Sequence, residues 1–176
     1  MKKIIAFAGS SSRSSINKQL AGYAGGLLEN QQLEVLDLND YELPMYSIDL
    51  ENEVGIPQNA HLFLEKLHSA NGIILSLAEH NGAYASAFKN LFDWMSRING
   101  KLWNDIPMLL MATSPGGRGG ATVLEVAMGR FPYMGGNIVG SFSLPNFYDN
   151  FKHGVLVNES LLVDLKETLD QFEQKL

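Results

Sequence analysis

Five short apolar segments alternate along the chain with longer stretches of helical period, a layout that builds a parallel sheet covered by helices. The segments are Lys3 to Ala8, Leu33 to Leu38, Gly72 to Leu77, Ile106 to Ala112 and Ile138 to Leu144. Between them Leu20, Tyr23, Ala24, Leu27 and Leu28 recur at helical spacing, as do Ala60, Phe63, Leu64 and Leu67. Phe88, Leu91, Phe92 and Met95 form a third stripe. Residues 121–130 read as a further helix, and Leu161, Leu162, Leu165, Leu169 and Phe172 as a C-terminal one. The first, third and fourth segments are continuously apolar, the mark of strands buried on both faces. Polar Glu34 and Asp37 interrupt the second, and Gly140, Ser141 and Ser143 the fifth, so these two belong at the sheet edges. The α/β doubly wound order 2-1-3-4-5 satisfies this and puts a topological switch point between strands one and three. Ligands bind at such crevices, outside the carboxyl ends of the strands, which directs attention to the loops after Ala8, Leu77 and Ala112.

Length and composition narrow the choice of function. The 176 residues, 45% of them hydrophobic, fit a single domain spanning 1–176 with one sizeable core. A net charge of −6, from 13 basic and 19 acidic side chains, comes without a block of Lys or Arg, which argues against nucleic acid as a partner. The start, Met1-Lys2-Lys3 before an apolar run, mimics a signal peptide, but the run breaks at Gly9 and reads better as a buried strand. No stretch approaches the ~20 apolar residues of a membrane helix, so no membrane association is expected, and the absence of cysteine and of a targeting signal points to the cytoplasm.

The first loop, Gly9-Ser10-Ser11-Ser12-Arg13-Ser14-Ser15-Ile16-Asn17, is rich in hydroxyls, carries one cation and feeds a helix. Unpaired N–H groups at a helix start, together with serine hydroxyls and the Asn17 amide, make a cradle for a monophosphate. Neither the nucleotide triphosphate loop nor the dinucleotide glycine fingerprint is present. A serine-rich turn in which Ser15 merely caps the helix is the plainer alternative. The second loop, Ala78 to Ala87, is built of small residues around one aromatic: Gly82 can take a positive φ and Tyr84 can present its face or hydroxyl. The third, Thr113-Ser114-Pro115-Gly116-Gly117-Arg118-Gly119-Gly120, is too rich in glycine for a simple connection and offers free amides to a heterocycle.

Taken together, these loops resemble the NADPH-dependent FMN reductase family of flavodoxin-like proteins, which includes quinone, chromate and azo-dye reductases. Gly9-Ser10, Arg13, Ser15 and Asn17 match the family's first loop, and Glu79, Asn81-Gly82, Tyr84, Lys89-Asn90 and Asp93-Trp94 its second. Ser114-Pro115-Gly116-Gly117-Arg118-Gly119-Gly120 matches the third. The chain departs from the pattern at Ala78 and His80, where members usually carry Pro and Tyr, and Arg13 sits one position later than in many of them. The resemblance implies a three-layer flavodoxin-like fold and bound FMN. Ser10, Arg13, Ser15, Ile16 and Asn17 would hold the phosphate, Glu79, His80, Asn81, Gly82 and Tyr84 would lie along the isoalloxazine, and Ser114, Pro115, Gly116 and Gly117 would close the other side. It further implies hydride transfer from NADPH or NADH through FMN to a small-molecule acceptor such as free flavin, a quinone, an azo or nitro compound or a metal oxyanion. In that chemistry the cofactor does the work, and no catalytic side chain or metal is required. The rival reading is a flavodoxin-type electron carrier without NAD(P)H turnover.

The remaining features carry expectations of their own. His61 and His68 read as solvated, His80 as a loop residue at the site, and His153 as part of an aromatic stretch with Phe147 and Tyr148 that borders a nicotinamide pocket or packs on the surface. The long connection from Asn39 to Gln58 reads as a lid or interface element. A homodimer or tetramer is implied by the resemblance, with the helix carrying Trp94 beside an exposed Trp103 as the contact surface.

Overall fold

The continuous apolar segments take the middle of the sheet because only there can both faces of a strand leave water. The computed structural model describes residues 1–176. Its strands β1 (Lys3–Gly9), β2 (Gln32–Leu36), β3 (Gly72–Leu77), β6 (Pro107–Thr113) and β7 (Asn137–Leu144) form one parallel sheet in the order β2-β1-β3-β6-β7. In terms of these five strands this is 2-1-3-4-5, as expected. Every residue of β3 is buried, whereas only Leu36 is buried in β2 and only Phe142 and Leu144 in β7.

Alternation along the strands sorts side chains between two cores. Ile5 and Phe7 of β1 point to one face, which is covered by α3 (Gln58–His68), α4 (Ser86–Ile98) and α5 (Ala121–Arg130). Ile4 and Ala6 point to the other, covered by α1 (Ile16–Gly26) and α7 (Glu159–Glu173). The second strand is shorter than its apolar run: the Asp37 carboxylate accepts from Asn39 N at 2.9 Å and starts a turn at Leu38–Asp40.

Within the long connection a short helix, α2 (Ile48–Val54), buries no side chain of its own. It and the preceding segment are held by α4: Asn90 Oδ1 accepts from Tyr46 N at 2.8 Å, Trp94 Nε1 donates to Pro44 O at 2.8 Å, and Arg97 pairs with Glu51 of α2 at 2.9 Å. Trp94 is thus fully buried, and so is Trp103, whose ring centroid lies 4.5 Å from that of Phe131. The expected aromatic contact surface between subunits therefore does not exist at these two residues. His68 is exposed, as expected, and its Nε2 lies 2.9 Å from Leu102 O.

Two hairpins escape the apolar pattern. They are β4 (Glu79–His80) with β5 (Ala83–Tyr84), and β8 (Phe151–Lys152) with β9 (Val155–Leu156), the latter following the one-turn helix α6 (Phe147–Asn150). Each turns on two residues of positive φ, Asn81 and Gly82 at 53° and 75°, and His153 and Gly154 at 52° and 82°, the geometry whose twist matches a two-residue hairpin.

Two glycines in similar-looking positions have opposite environments, which gives a paired test. A Cβ on Gly72 would come within 2.6 Å of the buried Phe172 ring, whereas one on Gly22, inside α1, would meet nothing within 4 Å. Gly72→Ala is expected to lower unfolding free energy by ~1–3 kcal/mol through overpacking. Gly22→Ala is expected to raise it by ~0.5–1 kcal/mol through helix propensity. Urea unfolding of both variants reads the difference, and a destabilised Gly22→Ala would contradict the open environment.

Candidate functional site

The site begins where β1 ends. Ser15 caps α1, its Oγ accepting from Lys18 N at 3.2 Å, and the N–H groups of Ile16 and Asn17 have no acceptor within the chain. They remain open to an anion at the positive end of the helix dipole. Ser10, 9% exposed, accepts from Ser12 N through its hydroxyl at 3.2 Å and shapes the turn. Ser15 N in turn donates to Ser12 O at 3.1 Å, a tight bend that puts Arg13 and Ser14 at its exposed corner.

Asn17 is only 3% exposed, and its amide is committed inside the protein. Oδ1 accepts from Ser76 Oγ at 2.7 Å and from Thr113 N at 3.0 Å, while Nδ2 donates to Thr113 O at 3.1 Å. Thr113 extends the chain of bonds by donating from Oγ1 to Leu144 O at 2.7 Å. The side chain expected to donate to phosphate is therefore first a tie between the ends of β3 and β6. One Nδ2 hydrogen and the backbone N–H are what Asn17 has left to offer a ligand.

The second loop is the β4–β5 hairpin. Glu79 Oε2 accepts from Val123 N at 3.0 Å, so this carboxylate satisfies a free amide at the start of α5. Asn81 and Gly82 form the hairpin tip. The Tyr84 ring turns inward against Phe88 at 5.3 Å and stacks near-parallel to Phe131 at 6.2 Å. Its hydroxyl is buried with no hydrogen-bond partner, and burial pushes the phenol up to about 12, opposed by the charge of Arg130. Tyr84 is thus part of the aromatic core rather than a face along the proposed ring.

In the third loop the glycines answer to crowding. Gly119 has φ of 58°, and a Cβ there would lie 2.9 Å from Pro145 N and from the carbonyl carbon of Leu144. The loop is held from the far side by Phe147 N donating to Ser114 O at 3.1 Å and Asn146 N donating to Gly116 O at 3.0 Å. This docking carries α6, and with it Tyr148, to the site.

The three loops enclose a cleft of about 240 Å³. Ser10, Ser15, Ile16 and Asn17 line it from the first loop, Glu79 and His80 from the second, and Ser114 and Pro115 from the third. Of the residues singled out in the sequence, Arg13, Asn81, Gly82, Tyr84, Gly116 and Gly117 do not line it. Arg13 faces a different hollow beside α1, as the corner of its turn requires. Ser12, Ser14, Ala78, Thr113 and Tyr148 join the cleft without having been singled out. The serines belong to the same hydroxyl run and Tyr148 to the aromatic stretch after the fifth strand, but only folding shows which members point inward. A larger hollow of about 590 Å³ opens on the opposite flank, between residues 38–44 and α4, and reaches the first loop at Ser11.

No Lys or Arg lines the cleft, so its affinity for an anion rests on unpaired amides, hydroxyls and the helix dipole. That donor set fits the phosphate of FMN. A family model described as NADPH-dependent FMN reductase matches residues 2–149. The chain belongs to this family. It is an oxidoreductase using FMN with NAD(P)H. Among its relatives, an uncharacterized protein of Mycoplasma pneumoniae is 29% identical over 80% of this chain and 85% of its own length. A 2-hydroxy-1,4-benzoquinone reductase from Burkholderia is 31% identical over 75% of this chain and 71% of its own length. Among solved structures, the flavoenzyme NAD(P)H:(acceptor) oxidoreductase FerB of Paracoccus denitrificans superposes with a TM-score of 0.75 at 22% identity, covering 99% of each chain, which shows the shared flavodoxin-like fold.

The commitments of Asn17 and Tyr84 are open to mutation. Asn17→Asp sets a carboxylate oxygen against Thr113 O where an N–H now donates, so unfolding free energy should fall by ~2 kcal/mol or more in urea titration. Unchanged stability would remove the tie from the account. For Tyr84, a folded-state pKa above the ordinary 10.0 means its contribution is fully present below pH 10 and is lost as pH rises toward about 12. Tyr84→Phe should therefore be neutral or stabilising at pH 7 and should flatten the loss of stability between pH 10 and 12, measured by thermal unfolding across that range.

Proposed function

We propose that the chain, working as one domain of residues 1–176, holds FMN in the cleft with the phosphate on the Ser10–Asn17 loop. We further propose that it reduces a quinone-class acceptor with NADPH or NADH. The observation that carries the placement is the pair of unpaired Ile16 and Asn17 N–H groups facing a cleft enclosed by three loops at the sheet's switch point. When bound, FMN supplies hydride acceptance from the nicotinamide and its delivery onward.

The protein's own residues bind and orient. Ser10, Ser12, Ser14 and Ser15 add hydroxyls around the phosphate, and the small Ala78 leaves room for a flat ring between His80 and the Ser114-Pro115 corner. Arg13 and Tyr84, which the family pattern assigns to phosphate and ring, have no part in this placement. The larger hollow suits the acceptor: Leu38, Leu43, Pro44 and Leu91 give it apolar walls, and Asn39 and Ser11 add polar groups at its rim, the mixture that a flat dione requires. The name of the Burkholderia relative, a benzoquinone reductase, supports the same class. A homodimer or tetramer fits the exposed apolar side chains Met45, Ile48 and Val54 beside that hollow, and the lack of cysteine fits the cytoplasm.

Ser12 is exposed, so Ser12→Asp adds a negative charge at the cradle without disturbing the core. FMN affinity should drop at least about tenfold, while riboflavin, which lacks the phosphate, should bind as before. Fluorescence-quenching titrations with both flavins make the comparison, and steady NADPH oxidation that depends on an added benzoquinone tests the acceptor. Equal loss of both flavins would place the phosphate elsewhere.

A further inference from the structure

The hollow that takes Arg13 lies on the far flank of the first loop and measures about 410 Å³. Ser14 and Ser15 line both it and the proposed FMN cleft, so a single turn of chain separates the two spaces. Its floor is α1, and its far wall is the β8–β9 hairpin, reaching over at Phe151 and Gly154. Phe151 and Tyr23 meet edge to face at 5.4 Å, giving an aromatic wall, with Val35 adding apolar surface.

Three features point to a ligand with a flat ring and an anion. Gly22 stands in the interior of α1, where glycine weakens a helix relative to alanine, yet a Cβ there would touch nothing within 4 Å. Packing thus gives no reason for this glycine, unlike Gly25 in the same helix, where a Cβ would strike Leu33 at 2.6 Å. The bare helix surface at Gly22 lets a planar ring lie flat beside the Tyr23–Phe151 pair. At the rim, Arg13 is exposed and forms no ion pair, although acidic side chains outnumber basic ones by 19 to 13. Lys18, by contrast, is already paired with Asp37. Gln19, exposed on the same helix, has an amide able both to donate to and to accept from the edge of a heterocycle.

We propose that this hollow binds an adenosine phosphate, with the purine over Gly22 and the phosphate on Arg13. The source that best fits its position is the adenosine end of the pyridine nucleotide. That assignment rests on the FMN placement above, because the nicotinamide must reach the neighbouring cleft while the same molecule extends over the loop.

The test uses 2′,5′-ADP as probe, with binding to the apoprotein read by calorimetry and inhibition of NADPH oxidation read on the FMN-loaded enzyme. Wild type should bind the probe. Gly22→Leu, which sets a branched side chain on the open floor, should weaken it at least about tenfold and raise KM for NADPH more than it lowers kcat. FMN affinity should be retained. Arg13→Gln should act in the same direction, again with FMN affinity retained, and circular dichroism confirms folding of both variants. Competitive inhibition against NADPH identifies the coenzyme's own adenosine end as the ligand, whereas non-competitive inhibition that Gly22→Leu abolishes identifies a free nucleotide in the same hollow. A probe that fails to bind wild type, or binds Gly22→Leu equally well, overturns the site. Loss of FMN affinity in Arg13→Gln overturns the assignment of that residue. Because calorimetry on the apoprotein needs neither flavin nor turnover, failure of the FMN placement shows separately, as absent FMN binding by wild type.

Discussion

The side-chain amide of Asn17 is the constraint on which the site's geometry depends. In a parallel sheet the carboxyl ends of the strands leave backbone groups beyond the last ladder pair, and when the helix that follows is packed against them no water can satisfy those groups. Thr113, paired with Leu144 on one side, lies beyond the last pair with β3 on the other, and one asparagine answers its N and O while also accepting from Ser76. The start of α1 is thereby fixed against the ends of β3 and β6, and Thr113 passes the constraint to β7 through Leu144 O. With this anchor in place, and with Ser12 N and Ser15 N bonded inside the loop, the Ile16 and Asn17 amides can stay unpaired while the loop keeps one shape. A loop that met its own backbone needs internally would have nothing left for a phosphate.

The same division between side chains that position and groups that bind recurs around the cleft. Glu79 stands on its wall, but its carboxylate secures the first turn of α5, which fixes the angle of the hairpin rather than adding charge for a ligand. Asn90, Trp94 and Arg97 fall on one face of α4 and grip residues 44–51, so the long connection has a defined course even though its own helix buries nothing. Held in this way, the connection forms one wall of the larger hollow beside Ser11. Asn17, Glu79 and Asn90 line these two spaces, but their side-chain hydrogen bonds are made to the protein's own groups, so they set the shape of each space.

Much of this was legible in the sequence, for reasons that can be located. Burial on both faces imposes continuous apolar runs, so Gly72 to Leu77 could be bounded to the residue and the edge strands told from the central ones. Glycine, serine and proline after three of these runs marked the loops of the site. The direction of individual side chains was not legible. Arg13 and Ser12 are neighbours of similar polarity in one turn, and which of them faces the cleft depends on the Ser15 N to Ser12 O bond. Tyr84 turns inward because it lies opposite Phe131, a residue 47 positions away, while Tyr148, in the stretch expected to border a pocket or pack on the surface, is brought to the cleft by Phe147 docking on Ser114 O. The two-residue strands of the hairpins are too short to show a period, although Asn81-Gly82 and His153-Gly154 carry the turn chemistry that forms them.

Placing a hollow on each side of one turn has a physical consequence for ligands that occupy both. The turn at Ser12 to Ser15 leads into the unpaired Ile16 and Asn17 amides on the cleft side and sets the Arg13 guanidinium on the other, so negative groups on its two sides meet different donors rather than competing for one. Two anions this close repel each other, and at an exposed site that repulsion is screened by solvent and salt more than it would be in the core. A cation at the outer corner lowers it further for both. Fixed dipoles on the inner side and an exposed, unpaired charge on the outer side therefore suit a ligand that stays bound and one that exchanges at each turnover.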